Sequence, residues 1–216
     1  LNNRIYGLTK GQASPTTELG MKTKTTPLGN VDRPFSAIAL ALGAGATFVA
    51  RVVDADQATM ATVLKRAALH EGTAFVEILQ NCVIFSDGIF DKLTDKAVRD
   101  DYRLMLEHGK PLIFGKDKNK GIRLKGLEPE VVTLGENGIT EKDLVVHDES
   151  APHSGLAFFL SQFDTPDFPV PLGILRDIKN PVYETLYAEQ VAQTVAKRGK
   201  GTLEKLFNSG NTWKID

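Results

Sequence analysis

The stretch "TFVARVVDADQATMATVLKRAALHEGTAFVEILQ", residues 47–80, decides the fold. Residues 47–53 are β-branched and mostly apolar, which predicts a strand. Asp54 or Asp56 then stands where a helix cap belongs, and Met60, Val63, Leu64, Ala67 and Ala68 recur at helical spacing. Gly72 lies past that helix. Residues 73–80 are apolar almost throughout, as parallel strands covered on both faces are. Strand, helix and strand in this order imply a right-handed crossover in a parallel sheet, so the fold class is α/β.

The reading extends outward from this unit. Residues 2–6 look like a strand end that breaks at Gly7, and residues 9–32, rich in Thr, Gly, Pro and Lys, form a long ordered loop. Pro34 stands at the start of a helix that "FSAIALALGAG" continues to Gly43 or Gly45. Downstream, residues 94–108 read as a helix charged on one side, and "KPLIFGKDKNKGIRLKG" (110–126) as a hairpin around a basic turn. Helices are expected at 157–163, 182–197 and 202–207, and short extended segments at "DLVVHD" (143–148) and "VPLGILRD" (170–177). A linker is placed near residues 91–95. Two parallel strands are few for an open sheet. The expectation is therefore that an upstream half of the domain lies outside this chain.

Bulk composition excludes several function classes. The 216 residues carry a formal net charge of −1, with 42% hydrophobic and 25% charged residues, which is ordinary for a globular protein. That balance argues against a nucleic-acid surface or an anionic membrane as partner. No apolar run reaches the ~20 residues that span a bilayer, and Arg4 and Lys10 precede no apolar signal-like run. A single cysteine, Cys82, forms no internal disulfide and suits a reducing, cytoplasmic compartment.

Five segments carry a family likeness: "NNRIYGLTKGQASPT", "TKTTPLG", "PFSAIALALGAGATFVAR", "AFVEILQNC" and the terminal "NTWKID". Together they resemble the β subunit of 2-oxoacid:ferredoxin oxidoreductases, the 2-oxoglutarate type above all. The resemblance implies residues 1–93 as the later half of a thiamine-diphosphate-binding domain and residues 94–216 as a C-terminal extension. It implies thiamine diphosphate, Mg²⁺ and a 4Fe–4S cluster as cofactors. It further implies coenzyme-A-dependent oxidative decarboxylation of a 2-oxoacid, with an α subunit and ferredoxin as partners. The family's Gly-Asp-Gly signature and amino-terminal cysteines are not in this chain. Pyruvate as substrate and a non-catalytic assembly module stand as rival readings.

The implied site follows residue by residue. Asn3 would give its amide oxygen to Mg²⁺ and Ile5 its backbone carbonyl, since Mg²⁺ wants oxygen ligands; the alternative is an Asn pair that merely satisfies a turn. Tyr6, Gly7, Thr9, Gly11 and Gln12 would hold the cofactor, a glycine turn letting N–H groups approach a diphosphate. Lys10 would pair with the anionic 2-oxoacid. Leu8 stands where pyruvate-type relatives have Asn, which resembles the 2-oxoglutarate or broad-specificity group. Cys82 would be the fourth cluster ligand, against the plainer reading of a small buried hydrophobe. Val83 replaces the proline of many relatives. Of the histidines, His70 reads as a surface residue at a helix C-terminus. His147-Asp148 reads as a structural turn, because adjacent residues on a strand face opposite ways.

Overall fold

The computed structural model describes residues 1–213 and 215, so Lys214 and Asp216 of the terminal motif lie outside the described residues. The chain divides into two units, Leu1–Lys179 and Asn180–Asp216. In the first, α1 (Ala37–Gly43) starts at Ser36, whose hydroxyl accepts from the Ala39 N–H, rather than at Pro34. Strand β1 (Phe48–Val53) is buried at every position. Asp56, not Asp54, caps α2 (Gln57–Leu69) by accepting from the Thr59 N–H, a contact worth about 1 kcal/mol. Strand β2 (Ala74–Leu79) follows and pairs with β1 in parallel, as the crossover pattern requires.

Between residues 91 and 108 the structure departs from expectation. The expected linker is a short helix, α3 (Asp91–Thr94), with Leu93 buried. The expected 94–108 helix is replaced by α4 (Arg99–Tyr102) and β3 (Arg103–Met105). Tertiary burial overrides local propensity here: Leu104 is fully buried, and Arg103 donates to the Leu93 carbonyl within the fold. The hairpin appears as β4 (Ile113–Phe114) with β5 (Lys120–Lys125), extended by β6 (Glu128–Thr133) into a three-stranded antiparallel sheet. Helix α5 (Gly155–Ser161) precedes β7 (Val170–Asp177).

The main sheet has the order β2-β1-β7-β3 and is mixed, because β7 runs antiparallel to β1. It therefore draws strands from both sides of residue 93. Strand β2 lies at its edge and is only half covered, correcting the expectation of burial on both faces. Alternation along β1 sends Phe48, Ala50 and Val52 toward Val63 of α2, while Val49 joins Ile38 and Leu42 of α1 and Leu160 of α5. In the second unit, α6 (Tyr183–Arg198) and α7 (Leu203–Phe207) are exposed helices. Among the described residues no helix is long and apolar enough to cross a membrane.

Two histidines act as struts. His70 is not a surface residue: its Nε2 meets the Thr47 hydroxyl at 2.7 Å and its Nδ1 meets Asp177 at 3.1 Å. His147 is fully buried and donates from Nε2 to the Ile174 carbonyl at 2.8 Å, while Asp148 bonds Ser150 instead. Burial pushes the His147 pKa below the ordinary imidazole value of 6.5. The unfolded chain therefore binds this proton more readily than the folded one, and stability falls as pH drops through about 6.5. Urea midpoints at pH 7.5, 6.5 and 5.5 should decline, and His147→Gln, which keeps a donor for Ile174, should flatten the decline in that window.

Candidate functional site

The chain enters along the edge of β2. The Asn2 N–H donates to the Ile78 carbonyl at 2.8 Å and the Gln80 N–H donates to the Asn2 carbonyl at 3.0 Å. The Asn2 side chain is also fully engaged. Its Nδ2 donates to Glu77 Oε1 at 2.8 Å, and its Oδ1 accepts from the Arg4 N–H at 2.9 Å and the Thr16 hydroxyl at 2.7 Å. Asn2 thus fits the structural reading of an Asn in a turn. Glu77 in turn accepts from Arg51 Nε at 2.7 Å. Burial raises the Glu77 pKa, but the Arg51 charge and the bonds from Asn2 and Arg51 outweigh it and hold the carboxyl below its usual value.

Arg4 reverses the chain. Its φ is +53°, an uncommon conformation outside glycine. The Thr17 hydroxyl donates to its carbonyl at 2.8 Å, and its guanidinium pairs with Glu18 and Asp164 and lies 5.3 Å from the Phe90 ring centre. Asn3, between these two anchors, donates from Nδ2 to the Gln80 carbonyl at 2.8 Å. A carbonyl accepts only from the amide nitrogen, so the orientation of the Asn3 amide is determined. Its Oδ1 has no hydrogen bond among the described residues, and neither has the Ile5 carbonyl.

A tight turn follows. The Tyr6 N–H donates to the Gln12 carbonyl at 3.0 Å and the Gly11 N–H to the Tyr6 carbonyl at 2.9 Å. The N–H groups of Gly7, Leu8 and Thr9 donate to nothing among the described residues. The expected ordered loop folds back on this turn: the Lys24 N–H donates to the Gly11 carbonyl, and Lys24 Nζ sits 5.3 Å from the Phe85 ring centre. Asn3, Ile5, Tyr6, Gly7, Leu8 and Thr9 line a cavity of about 620 Å³ together with Phe75 and Val76 of β2.

The sequence-derived residues divide accordingly. The cavity gathers Asn3, Ile5, Tyr6, Gly7, Thr9 and the 97%-exposed Leu8. Lys10 is exposed at the turn and outside this lining, and Gln12 buttresses the turn by accepting from the Thr9 hydroxyl. Cys82 is half-buried beside Gly7, where an added Cβ would lie 3.3 Å from its sulfur. Sequence reasoning passed over Arg4, Thr16, Thr17, Arg51 and Glu77. A signal for the last two existed: each is a charge at the fourth position of its strand, so register sets Arg51 opposite Glu77.

The donors match some of the implied groups. Unpaired turn amides suit a diphosphate, and the free Asn3 and Ile5 oxygens suit a hard cation that takes its remaining ligands from phosphate and water. A 4Fe–4S cluster commonly takes four thiolates. This chain has one cysteine, so its own residues do not make a cluster site.

Residues 1–78 match the family model for the thiamine pyrophosphate enzyme C-terminal TPP-binding domain, which defines the class of this fold and turn. Over its whole length the chain is 41% identical to the 2-oxoglutarate oxidoreductase subunit KorB of Mycobacterium tuberculosis, covering 58% of that protein. A 2-oxoacid:ferredoxin oxidoreductase β subunit of Saccharolobus solfataricus is 44% identical over 97 residues, 45% of this chain and 32% of the relative. The chain is thus similar along its whole length to a β subunit of the 2-oxoacid:ferredoxin oxidoreductase type and spans just over half the length of the first of these relatives. A solved 2-oxoglutarate:ferredoxin oxidoreductase from Magnetococcus marinus has the same fold, with a TM-score of 0.65 and 24% identity over 97% of this chain and 56% of that one.

The turn geometry makes a stability prediction. Gly11 has φ +96°, and a Cβ there would lie 2.7 Å from the Phe85 ring. Gly11→Ala should destabilise the first unit by about 1–3 kcal/mol in thermal unfolding. Gly20→Ala, at φ +79° but in open space, should cost about 1 kcal/mol.

Proposed function

We propose that this chain contributes the Mg²⁺–thiamine-diphosphate turn of a 2-oxoacid:ferredoxin oxidoreductase, with 2-oxoglutarate as substrate. The reaction is 2-oxoacid plus coenzyme A giving acyl-CoA, CO₂, a proton and two electrons, the electrons leaving on ferredoxin; with 2-oxoglutarate the product is succinyl-CoA. When bound, thiamine diphosphate supplies the carbanion chemistry that releases CO₂. The chain's own part is to bind and orient it. Asn3 Oδ1 and the Ile5 carbonyl would hold Mg²⁺, and the Gly7, Leu8 and Thr9 amides would hold the diphosphate, with Tyr6, Gly11 and Gln12 shaping the turn.

The observation that carries this reading is Asn3: its amide nitrogen is tied to Gln80 while its oxygen is left without a partner beside the turn. Leu8 borders the same cavity and is the candidate for substrate choice; Lys10, exposed just outside that lining, is the candidate cation for the anionic 2-oxoacid. Cys82 is proposed as one thiolate of a cluster in a fuller subunit, its other ligands coming from outside these residues. An α subunit completes the enzyme in this reading, and the lone thiol suits a cytoplasmic setting.

The test uses the full-length subunit assembled with its partner. Asn3→Ala should weaken Mg²⁺–thiamine-diphosphate binding at least about tenfold by calorimetry and abolish turnover. Unchanged affinity would remove the metal role and leave an assembly module. Leu8→Asn should shift the kcat/KM ratio from 2-oxoglutarate toward pyruvate by about 1–3 kcal/mol; an unaltered ratio places Leu8 outside substrate recognition.

A further inference from the structure

Arg51 and Glu77 face each other across the β1–β2 register and are 9% and 6% exposed. Their same-face neighbours on each strand, Val49, Val53, Phe75 and Leu79, are apolar. A buried ion pair is not the best way to stabilise such a sheet, since an apolar pair of similar volume usually does as well or better. What the pair does add is direction. One Glu77 oxygen is taken by Arg51, and the other accepts from Asn2. That acceptor turns the Asn2 amide so that its oxygen receives the Arg4 N–H and the Thr16 hydroxyl. Without it, the left-handed backbone at Arg4 loses one of the contacts that hold it. Asn3 lies between Asn2 and Arg4, so its direction depends on both.

We propose that Glu77, clamped by Arg51, is a positioning residue for the cofactor turn, acting through Asn2 to aim the Asn3 oxygen and the Ile5 carbonyl. This rests on the Mg²⁺–thiamine-diphosphate reading of the turn. The pair touches neither metal nor substrate; it sets the resting geometry that a cation requires, which octahedral Mg²⁺ tolerates poorly if loosened.

The experiment replaces the pair with apolar residues of similar size, Arg51→Met with Glu77→Leu, in the full-length assembled enzyme. The protein should fold with an unchanged or higher Tm. Affinity for thiamine diphosphate with Mg²⁺ should fall about tenfold, the usual effect of losing an outer support, with turnover at saturating cofactor falling less. Amide hydrogen exchange across residues 2–6 should quicken, and adding Asn2→Ala should cost no further affinity. A folded double variant with parental cofactor affinity overturns the proposal. If the double variant does not fold, Asn2→Ala alone decides: it leaves the buried pair in place, and parental affinity overturns the link. Asn3→Ala measured alongside separates the two failures. If Asn3→Ala weakens binding and the others do not, only the positioning role is lost; if none does, the reading of the turn itself falls.

Discussion

The pairing of β1 with β2 is the constraint on which the rest depends. Parallel register sets Phe48 against Ala74 and, three residues on, Arg51 against Glu77. The same register brings Leu79 to the end of β2, where Asn2 docks as a single bridge. A slip of one residue would turn every side chain to the other face. It would leave Arg51 and Glu77 as buried charges without partners, and an uncompensated buried charge is strongly destabilising.

From that bridge outward, the turn is built from saturated and unsaturated polar groups. Asn2 uses both backbone groups and both side-chain atoms inside the protein. Asn30, 4% exposed, holds the returning loop by donating to the Thr17 and Asp32 carbonyls at 3.0 and 3.1 Å. Against this background the free Asn3 oxygen, the Ile5 carbonyl and the turn amides stand out. They border the cavity at the turn, and that shared position is the ground for proposing them as the groups that hold a cofactor.

Much of the fold was legible. Residues 37–80 show helix, strand, helix and strand in the places that capping residues and apolar spacing indicate, because those signals are local. The hairpin at 113–125 was legible for the same reason: two strand-like runs flank a polar turn. The segment 94–108 was misread because its helix propensity is real but weak. The gain from burying Leu104 beside β7 exceeds it. His70 was misread because its partners, Thr47 and Asp177, lie 23 and 107 residues away.

The sequence by itself determined the βαβ unit, the motif that carries the family resemblance, and the residue types offered at the turn. Those follow from short-range periodicity and from a pattern of side chains along the chain. Only the tertiary structure decided that β7 joins the sheet antiparallel, that Asn2 is a structural member while Asn3 is left free, and that Arg51 and Glu77 stand behind them. Neither Asn differs from the other in its own chemistry. What separates them is which groups lie within hydrogen-bonding distance once residues about 75 positions apart are packed together, and a linear pattern does not carry that distance.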